Sequence, residues 1–314
     1  MSRRILVGLQ IAGTIVLAAF LFRQFDWAAF VDVVRSLTPA FYVGSLAVVA
    51  IGQTLFAWRW QVVLKAIGVD VRNIRYRDVL QQYFIGLFFN NLLPTAVGGD
   101  AFRVYYLGRS TGYAEAGASV LVDRILGFAW LAFLGAALAW VVSTPSSFFV
   151  LNRTLLTLFA AGFAVLLVSV RTLAVERWVP ERVAPLVGFI RSGATGPAPL
   201  AAGAVAAGIY LAAMTIIYQQ FLRLAGVAVP DFAVVMLVII SAGIFVNVPI
   251  SMNGIGLREQ LHYLLFSALG VPKEVAVSLS LLMFFHMLLV SLLGWIAWVR
   301  AQAATAPLAP TSAA

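Results

Sequence analysis

Long apolar runs separated by short polar segments extend along most of the chain. A transmembrane helix needs about 20 predominantly apolar residues, and six runs come near this length. They are residues 5–22, 40–64, 117–142, 154–170, 199–222 and 275–299. Two further apolar runs, 79–93 and 232–248, are too short or too interrupted to cross comfortably. The pattern predicts an all-α membrane protein with about six full transmembrane helices and two broken, re-entrant helical segments.

Each of the two short runs leads into a cluster of helix breakers, amides and charges. The clusters are NNLLPTAVGGDAFR at 90–103 and NVPISMNGIGLRE at 247–259. Aligned on their prolines, they match at three pairs of positions: Pro94 and Pro249, Gly99 and Gly254, Arg103 and Arg258. Three full spans separate the copies, an odd number, so the copies have opposite orientations. We therefore predict an inverted repeat, typical of transporters, with halves at about 40–143 and 199–300.

The distribution of positive charge predicts the orientation in the membrane. Cytoplasmic loops carry an excess of Lys and Arg. The arginine-rich loops are 65–78 and 171–198, and arginines also lie near both ends of the apolar region. Both termini are therefore expected in the cytoplasm, with 26–35 and 223–231 on the opposite side.

The composition changes this picture little. The chain of 314 residues is 62% hydrophobic and 11% charged, which leaves no stretch polar enough for a separate soluble catalytic domain. The net charge of +9 comes from arginines in short loops, so it indicates contact with anionic lipid rather than nucleic acid. The absence of cysteine excludes disulfides and thiol catalysis. The N-terminal apolar run is expected to be a retained signal-anchor helix, and residues 301–314 a disordered tail.

The first cluster suggests a binding site for an anion. Pro94 ends a helix, and the pair Gly98–Gly99 permits a tight turn or a positive φ. Asp100 is expected to be the N-cap of a following helix. Unsatisfied backbone N–H groups at such a helix start suit a phosphate, and Arg103 adds a planar guanidinium that can bind it through two hydrogen bonds.

The second cluster repeats these features, so we expect Arg103 and Arg258 to contact a lipid phosphate from opposite halves of one cavity. Asn253, Gly254 and Gly256 supply a flexible turn, and Arg258 and Glu259 supply the charges. The alternative is that Gly and Pro are simply common in membrane helices, and that an arginine near a helix end extends to the interface.

Charged and titratable residues also occur inside the predicted spans. Asp123 and Arg124 lie within 117–142, where charge is costly and often functional. The alternative is a structural ion pair, in which Arg124 neutralises Asp100 or Asp123. His286, in the last span, is either a proton relay or a hydrogen-bonded core histidine.

No enzyme constellation is present in the sequence. It has no GxSxG, no HExxH, no Walker loop and no carboxylate-rich metal cluster, so we expect neither an enzyme nor a cofactor. The amides of Asn90 and Asn91 favour packing or the lining of a cavity.

Three segments together resemble a known family. FNNLLPTAVGGDAFRVYYLGR, then LVDRILGF, then PISMNGIGLRE are similar to the signatures of the flippase-like membrane family that includes the membrane half of lysylphosphatidylglycerol synthases. The resemblance covers about 40–300 and implies one polytopic domain over 1–300 in the bacterial inner membrane, which moves a lipid between leaflets. The soluble aminoacyltransferase domain of the synthases is missing from this sequence, so lipid aminoacylation is not implied. The matching motif residues are Asn91, Pro94, Gly98, Gly99, Asp100, Arg103, Asp123, Arg124, Pro249, Gly254, Gly256, Arg258 and Glu259. Apart from Pro249, these residues and Asn253 are the expected lipid-binding residues.

The resemblance makes the expected cargo a phospholipid, a polyprenyl-phosphate-linked lipid or a hopanoid-type lipid. The expected partners are a lipid with an anionic head group and, beyond it, lipid-synthesis enzymes. Two rival readings stay open at this point. One is a membrane-embedded transferase with Asp100 or Glu259 as base, and the other is a non-transporting scaffold for a lipid-modifying enzyme.

Overall fold

The structure is a computed structural model. It describes residues 11–17, 25–69, 74–93, 98–142, 147–173, 196–248 and 250–305, with a few isolated residues between these ranges. The described ranges are helical apart from their turns, and they contain no strand. Five helices in them are long and apolar enough to cross a membrane: Pro39–Ala66, Tyr113–Val141, Phe149–Thr172, Pro197–Leu224 and Lys273–Gln302. The predicted all-α membrane class is confirmed. The sixth predicted span, 5–22, lies mostly outside the described residues.

Ten helices are numbered here in chain order. They are α1 Trp27–Ser36, α2 Pro39–Ala66, α3 Tyr76–Leu92, α4 Gly98–Thr111, α5 Tyr113–Val141, α6 Ser147–Thr172, α7 Pro197–Leu224, α8 Phe232–Phe245, α9 Leu257–Ser267 and α10 Lys273–Thr305. A 3₁₀ turn, Met252–Gly254, precedes α9. The disordered tail was predicted to start too early, because α10 continues to Thr305. Residues 306–314 lie outside the described part of the chain.

The helices follow the same order in two parts of the chain. A long helix, two short helices and a long helix occur as α2–α5 and again as α7–α10. The packing also corresponds: α3 packs on α10, and its counterpart α8 packs on α5, while α2 and α7 pack on each other. Two halves that are related as repeats are expected to make such reciprocal contacts, in which each half packs its first short helix on the last long helix of the other. The opposite orientation of the halves stays a prediction.

The short helices α3 and α4 form an antiparallel hairpin. Phe89 stacks on Phe102 with ring centroids 3.6 Å apart, while Asn90, one residue further along α3, meets Gly99, three residues earlier in α4. The segment that links these helices, residues 94–97, lies outside the described residues, as does Pro249 in the second copy. The chain thus turns back on itself directly after the first short apolar run.

Two local predictions for this hairpin are wrong. α4 already begins at Gly98, so Gly98 and Gly99 are helical, and Asp100 lies in the first turn rather than at the N-cap. The side-chain oxygen of Asn90 accepts the Gly99 N–H at 2.8 Å and takes the capping role. The physical reason for Gly99 is close helix packing, because a Cβ there would lie 2.6 Å from the backbone nitrogen of Asn90 and would overlap the carbonyl of Gly86.

In the second copy the predicted glycine turn is present. Gly254 and Gly256 have φ of +73° and +79°, and Asn253 has φ of 50°. This is the left-handed region, which glycine and asparagine adopt most readily. The copies therefore use their glycines differently, the first for helix contact and the second for a turn.

Candidate functional site

A cavity of about 440 Å³ lies between helices of both halves. Its lining divides into a charged and polar part and an apolar, aromatic part. The charged and polar part comprises Gln53, Arg59, Tyr83, Asn90, Asp100, Arg103, Asp123, Arg124 and Asn247. The rest of the lining is Phe56, Leu87, Gly127, Phe128, Leu131, Ala207, Tyr210, Leu211, Ile239, Gly243 and Met287. The cavity is therefore amphipathic.

Five charged side chains of this lining form a continuous ionic cluster. Arg59 Nε lies 2.8 Å from Asp123 Oδ1, and Arg103 Nη2 lies 3.1 Å from Asp123 Oδ2. Arg103 Nη1 lies 3.4 Å from Asp100 Oδ1, and Arg124 Nε pairs with the other oxygen of Asp100. The order is Arg59, Asp123, Arg103, Asp100, Arg124. Residues from α2, α4 and α5 are thereby joined into what we call the ionic cluster.

Arg103 is the central member of the ionic cluster and is held on three sides. Its guanidinium carbon lies 4.0 Å from the ring centroid of Trp60 and 4.9 Å from that of Tyr83. Trp60 is fixed in turn, since its indole N–H donates to Ser119 Oγ at 3.0 Å. Gly86 of α3 provides the room, because a Cβ there would lie 2.8 Å from Arg103 Cδ. The α3–α4 hairpin therefore positions Arg103 through its glycines.

The ionic cluster is buried and its charges do not balance. Arg59, Asp100, Arg103 and Asp123 have side chains between 3% and 9% exposed, whereas that of Arg124 is 30% exposed. Three arginines and two aspartates leave one positive charge in excess among the described residues of the cavity lining. An uncompensated buried charge is costly. An anion in the cavity would relieve that cost.

Arg103 has a buried donor without a partner. Among the described residues, no hydrogen-bond partner meets its buried Nε. A buried N–H without an acceptor costs about 1–3 kcal/mol. Guanidinium groups bind carboxylate and phosphate oxygens with the strongest of the ordinary hydrogen bonds. The arrangement can thus hold an oxyanion at the charged end of the cavity.

The sequence-predicted residues of the first copy divide into two groups. Asp100, Arg103, Asp123 and Arg124 line the cavity, and the structural pair between Arg124 and Asp100 exists as one link of the ionic cluster. Gly98 and Gly99 form the start of α4, and Asn91 donates its side-chain amide to the carbonyl of Leu87 at 3.1 Å. These three residues shape the hairpin and do not line the cavity.

The predicted residues of the second copy lie outside the cavity lining. The Arg258 guanidinium carbon lies 4.2 Å from the ring centroid of Phe284, and its Nη2 donates to the Asn253 carbonyl at 3.2 Å. Glu259 accepts the Gly256 N–H at 2.7 Å and so closes the start of α9. The expected pairing of Arg103 and Arg258 across one cavity is therefore not observed in this structure. The second half contributes other residues, among them Gly243 and Asn247 of the segment before the 3₁₀ turn.

Sequence reasoning missed several lining residues, of which Arg59 is the most important. It lies in the apolar run 40–64, so the rule that applied to Asp123, a charge inside a span, was available as a signal. Because Arg59 is close to Lys65 at the end of the span, it resembles an ordinary charged residue at a helix end. Tyr83 and Tyr210 carry no such signal, because aromatic residues are common in membrane helices. His286 is buried but does not line the cavity.

Comparison with known proteins places the chain in a family. Residues 5–294 match the lysylphosphatidylglycerol synthase TM region. A UPF0104 membrane protein of Pyrococcus horikoshii is 26% identical over 291 residues, which cover 82% of this chain and 86% of that protein. A UPF0104 membrane protein of Methanothermobacter thermautotrophicus is 25% identical over 293 residues, which cover 81% of this chain and 82% of that protein. The chain therefore belongs to the family of the lysylphosphatidylglycerol synthase transmembrane region.

Proposed function

We propose that this protein is a multi-pass membrane transporter that moves a lipid with an anionic head group between the two leaflets. The observation that carries the proposal is the amphipathic cavity, whose lining combines an ionic cluster with one excess positive charge and an apolar, aromatic part. A soluble anion would need only the first of these features. A lipid needs both.

The head group would bind at the ionic cluster. A phosphate oxygen would accept from Arg103 Nε and take up the excess positive charge. The guanidinium is already oriented by Trp60 and Tyr83, so little side-chain entropy is lost on binding.

The apolar part of the lipid would lie against the apolar part of the lining. Phe128 and Leu131 of α5, Leu211 of α7 and Ile239 of α8 form a surface without hydrogen-bonding side chains. Burial of hydrocarbon there costs nothing relative to the bilayer, whereas burial of a second charged group would be unfavourable. This division favours a lipid over a small polar solute.

The fold supports a transport cycle with broken helices. α3 and α4 have 17 and 14 residues, about 26 and 21 Å at 1.5 Å per residue, against about 30 Å for a hydrocarbon core. In our proposal this hairpin is re-entrant, both termini are cytoplasmic, and the protein lies in the bacterial inner membrane. Rocking of the α2–α5 half against the α7–α10 half, across the α2–α7 contact, would expose the cavity to each leaflet in turn.

The contacts of the two candidate bases favour transport over a transferase. Asp100 is ion-paired with Arg103 and Arg124, and Glu259 accepts a backbone N–H at the start of α9. Both carboxylates are thus occupied by structural contacts. A scaffold would not require an internal cavity with an excess of positive charge, so this feature also favours transport over a scaffold.

Reconstitution tests the proposal. Purified protein in phosphatidylcholine vesicles should accelerate the exchange of a fluorescent phosphatidylglycerol between leaflets, measured by chemical quenching of the outer leaflet. Arg103→Gln should abolish the acceleration, whereas Arg35→Gln, on the exposed surface of α1, should preserve it. Exchange at the protein-free rate for every lipid tested, in a folded wild-type sample, would overturn the proposal. Covalently altered lipid in the mass spectrum would instead indicate a transferase.

A further inference from the structure

A second cavity, of about 490 Å³, lies on the other side of the ionic cluster, between α4 and α5. Its walls are formed mainly by Ala101 and Val104 of α4 and by Gly117, Val120 and Leu121 of α5. Apart from the two charged residues discussed next, the lining is apolar or aromatic. We call this space the α4–α5 groove.

The groove and the central cavity meet at one ion pair. Asp100 and Arg124 line both spaces. Along α5, the groove residues precede Arg124, and the cavity residues Gly127, Phe128 and Leu131 follow it. The Asp100–Arg124 pair therefore borders both spaces and lies where they meet.

The groove opens at the surface of the helix bundle. Tyr105 and Tyr113, at its edges, are 51% and 57% exposed, and Leu121 is 42% exposed. Tyrosine is enriched where membrane meets water. From Tyr113 to Arg124 the path along α5 is about 16 Å at 1.5 Å per residue. The groove thus runs from the end of α5 that the predicted topology makes cytoplasmic to the ionic cluster.

We propose that the α4–α5 groove binds one acyl chain of the transported anionic lipid, and that the Asp100–Arg124 pair is the gate through which the head group passes between the bilayer and the cavity. This inference rests on the proposed function. It adds the portal through which the lipid enters, the gate at that portal, and the leaflet to which the portal opens, which is the cytoplasmic leaflet in the predicted topology. The groove adjoins the anion site at this ion pair, and its lining matches hydrocarbon.

The ion pair is suited to open for an anion. When Arg124 leaves Asp100, the carboxylate keeps Arg103 as a partner at 3.4 Å, so no buried carboxylate is left uncompensated. Arg124 is the most exposed member of the ionic cluster, so an arriving phosphate reaches it first. The phosphate would replace Asp100 as its partner and then pass on to Arg103. A neutral head group has no anion for this exchange. A zwitterionic head group brings the same phosphate together with a cation, so it does not compensate the excess positive charge and should pass less readily.

Gly117 allows the groove to be filled. A Cβ at this position has no heavy atom within 4 Å, and Gly117 lines the groove, so we expect the side chain of Gly117→Trp to project into the groove. Gly162→Trp on α6 is the matched control, because Gly162 also has open space around it and lines neither the groove nor the cavity. Tryptophan is a better helix former than glycine, so helix propensity opposes neither change.

The experiment uses the full chain in vesicles and two readouts. Transport of fluorescent phosphatidylglycerol should fall about tenfold or more in Gly117→Trp, as expected for an overpacked passage, and stay at the wild-type rate in Gly162→Trp. A phosphatidylglycerol with a photoreactive group in one acyl chain should label Val104, Val120 or Leu121 in the wild type, and Gly117→Trp should remove that label.

The two proposals fail in different ways. If Gly117→Trp transports at the wild-type rate, the groove is not the portal, while the proposed function stands. If the wild type transports no lipid, the proposed function fails, and photo-labelling then tests whether the groove binds an acyl chain. Loss of the label in Gly117→Trp would support acyl-chain binding. An unchanged label would overturn it. A label that appears equally with photoreactive phosphatidylcholine would overturn the selection of anionic lipids at the gate.

Discussion

The side-chain amide of Asn253 donates a hydrogen bond to the backbone carbonyl of Asn91 at 3.3 Å. The two residues are far apart in sequence and belong to the two copies of the repeated motif. The contact joins the end of α3 to the 3₁₀ turn before α9. It is a direct link between the elements that would have to move relative to each other during transport.

Removal of this link should loosen the coupling between the motifs. Asn253→Gly deletes the amide but keeps the positive φ of the turn, so the expected loss of stability is about 1 kcal/mol, the value of one hydrogen bond. Asn253→Val also strains the backbone and should cost more. Thermal unfolding in detergent would measure both. Equal unfolding temperatures for the wild type and Asn253→Gly would show that the contact contributes nothing.

Replacement of arginine by lysine should separate the roles of the two motif arginines. Arg103→Lys keeps the charge but loses the planar group that stacks on Trp60 and reaches two aspartates, so lipid exchange should fall about tenfold. Arg258→Lys should have a much smaller effect, because Arg258 does not line the cavity. The readout is phosphatidylglycerol exchange at matched expression. Equal losses in the two variants would place both arginines in the head-group site.

Asp123 should be essential for stability because it neutralises two buried arginines. Asp123→Asn should lower the free energy of unfolding by about 3–5 kcal/mol, since it leaves Arg59 without a counter-ion. In the double variant Arg59→Met/Asp123→Asn, both charges are removed and part of the loss should be recovered. Asp32→Asn, at an exposed position of α1, is the control. A double variant less stable than Asp123→Asn would contradict the charge argument.

Gly99 should tolerate no side chain. Gly99→Ala places a methyl group against the Gly86 carbonyl and should cost about 1–3 kcal/mol by overpacking. Gly208→Ala, in the exposed face of α7, meets no atom within 4 Å and should be neutral or slightly stabilising, because alanine is the better helix former. Unfolding of the two variants in the same detergent compares them. Gly99→Ala as stable as Gly208→Ala would mean that the hairpin is packed less closely than described.

The orientation can be tested on the naturally cysteine-free chain. Arg77→Cys and Asp231→Cys are exposed positions in segments predicted to lie on opposite sides of the membrane. A membrane-impermeant maleimide added to intact cells should label the Asp231→Cys variant only. Labelling of both variants, or of the Arg77→Cys variant alone, would contradict the predicted topology.

The sequence by itself determined the class of the protein and the location of its special segments. Hydrophobic runs of span length are a local property, so the helices α2, α5, α6, α7 and α10 could be read from it. The matched positions of the two clusters identified the hairpin region, and the charges within a span identified Asp123 and Arg124. Each of these inferences depends on residue type and spacing along the chain.

The tertiary structure alone decided which of those residues share a site. Arg59 and Asp123 are far apart in sequence and meet because α2 packs on α5, whereas Arg258 matches Arg103 in sequence but lies against Phe284. The same glycine motif serves helix contact in one copy and a left-handed turn in the other. Such differences depend on what each backbone segment packs against, and sequence spacing carries no information about a partner helix.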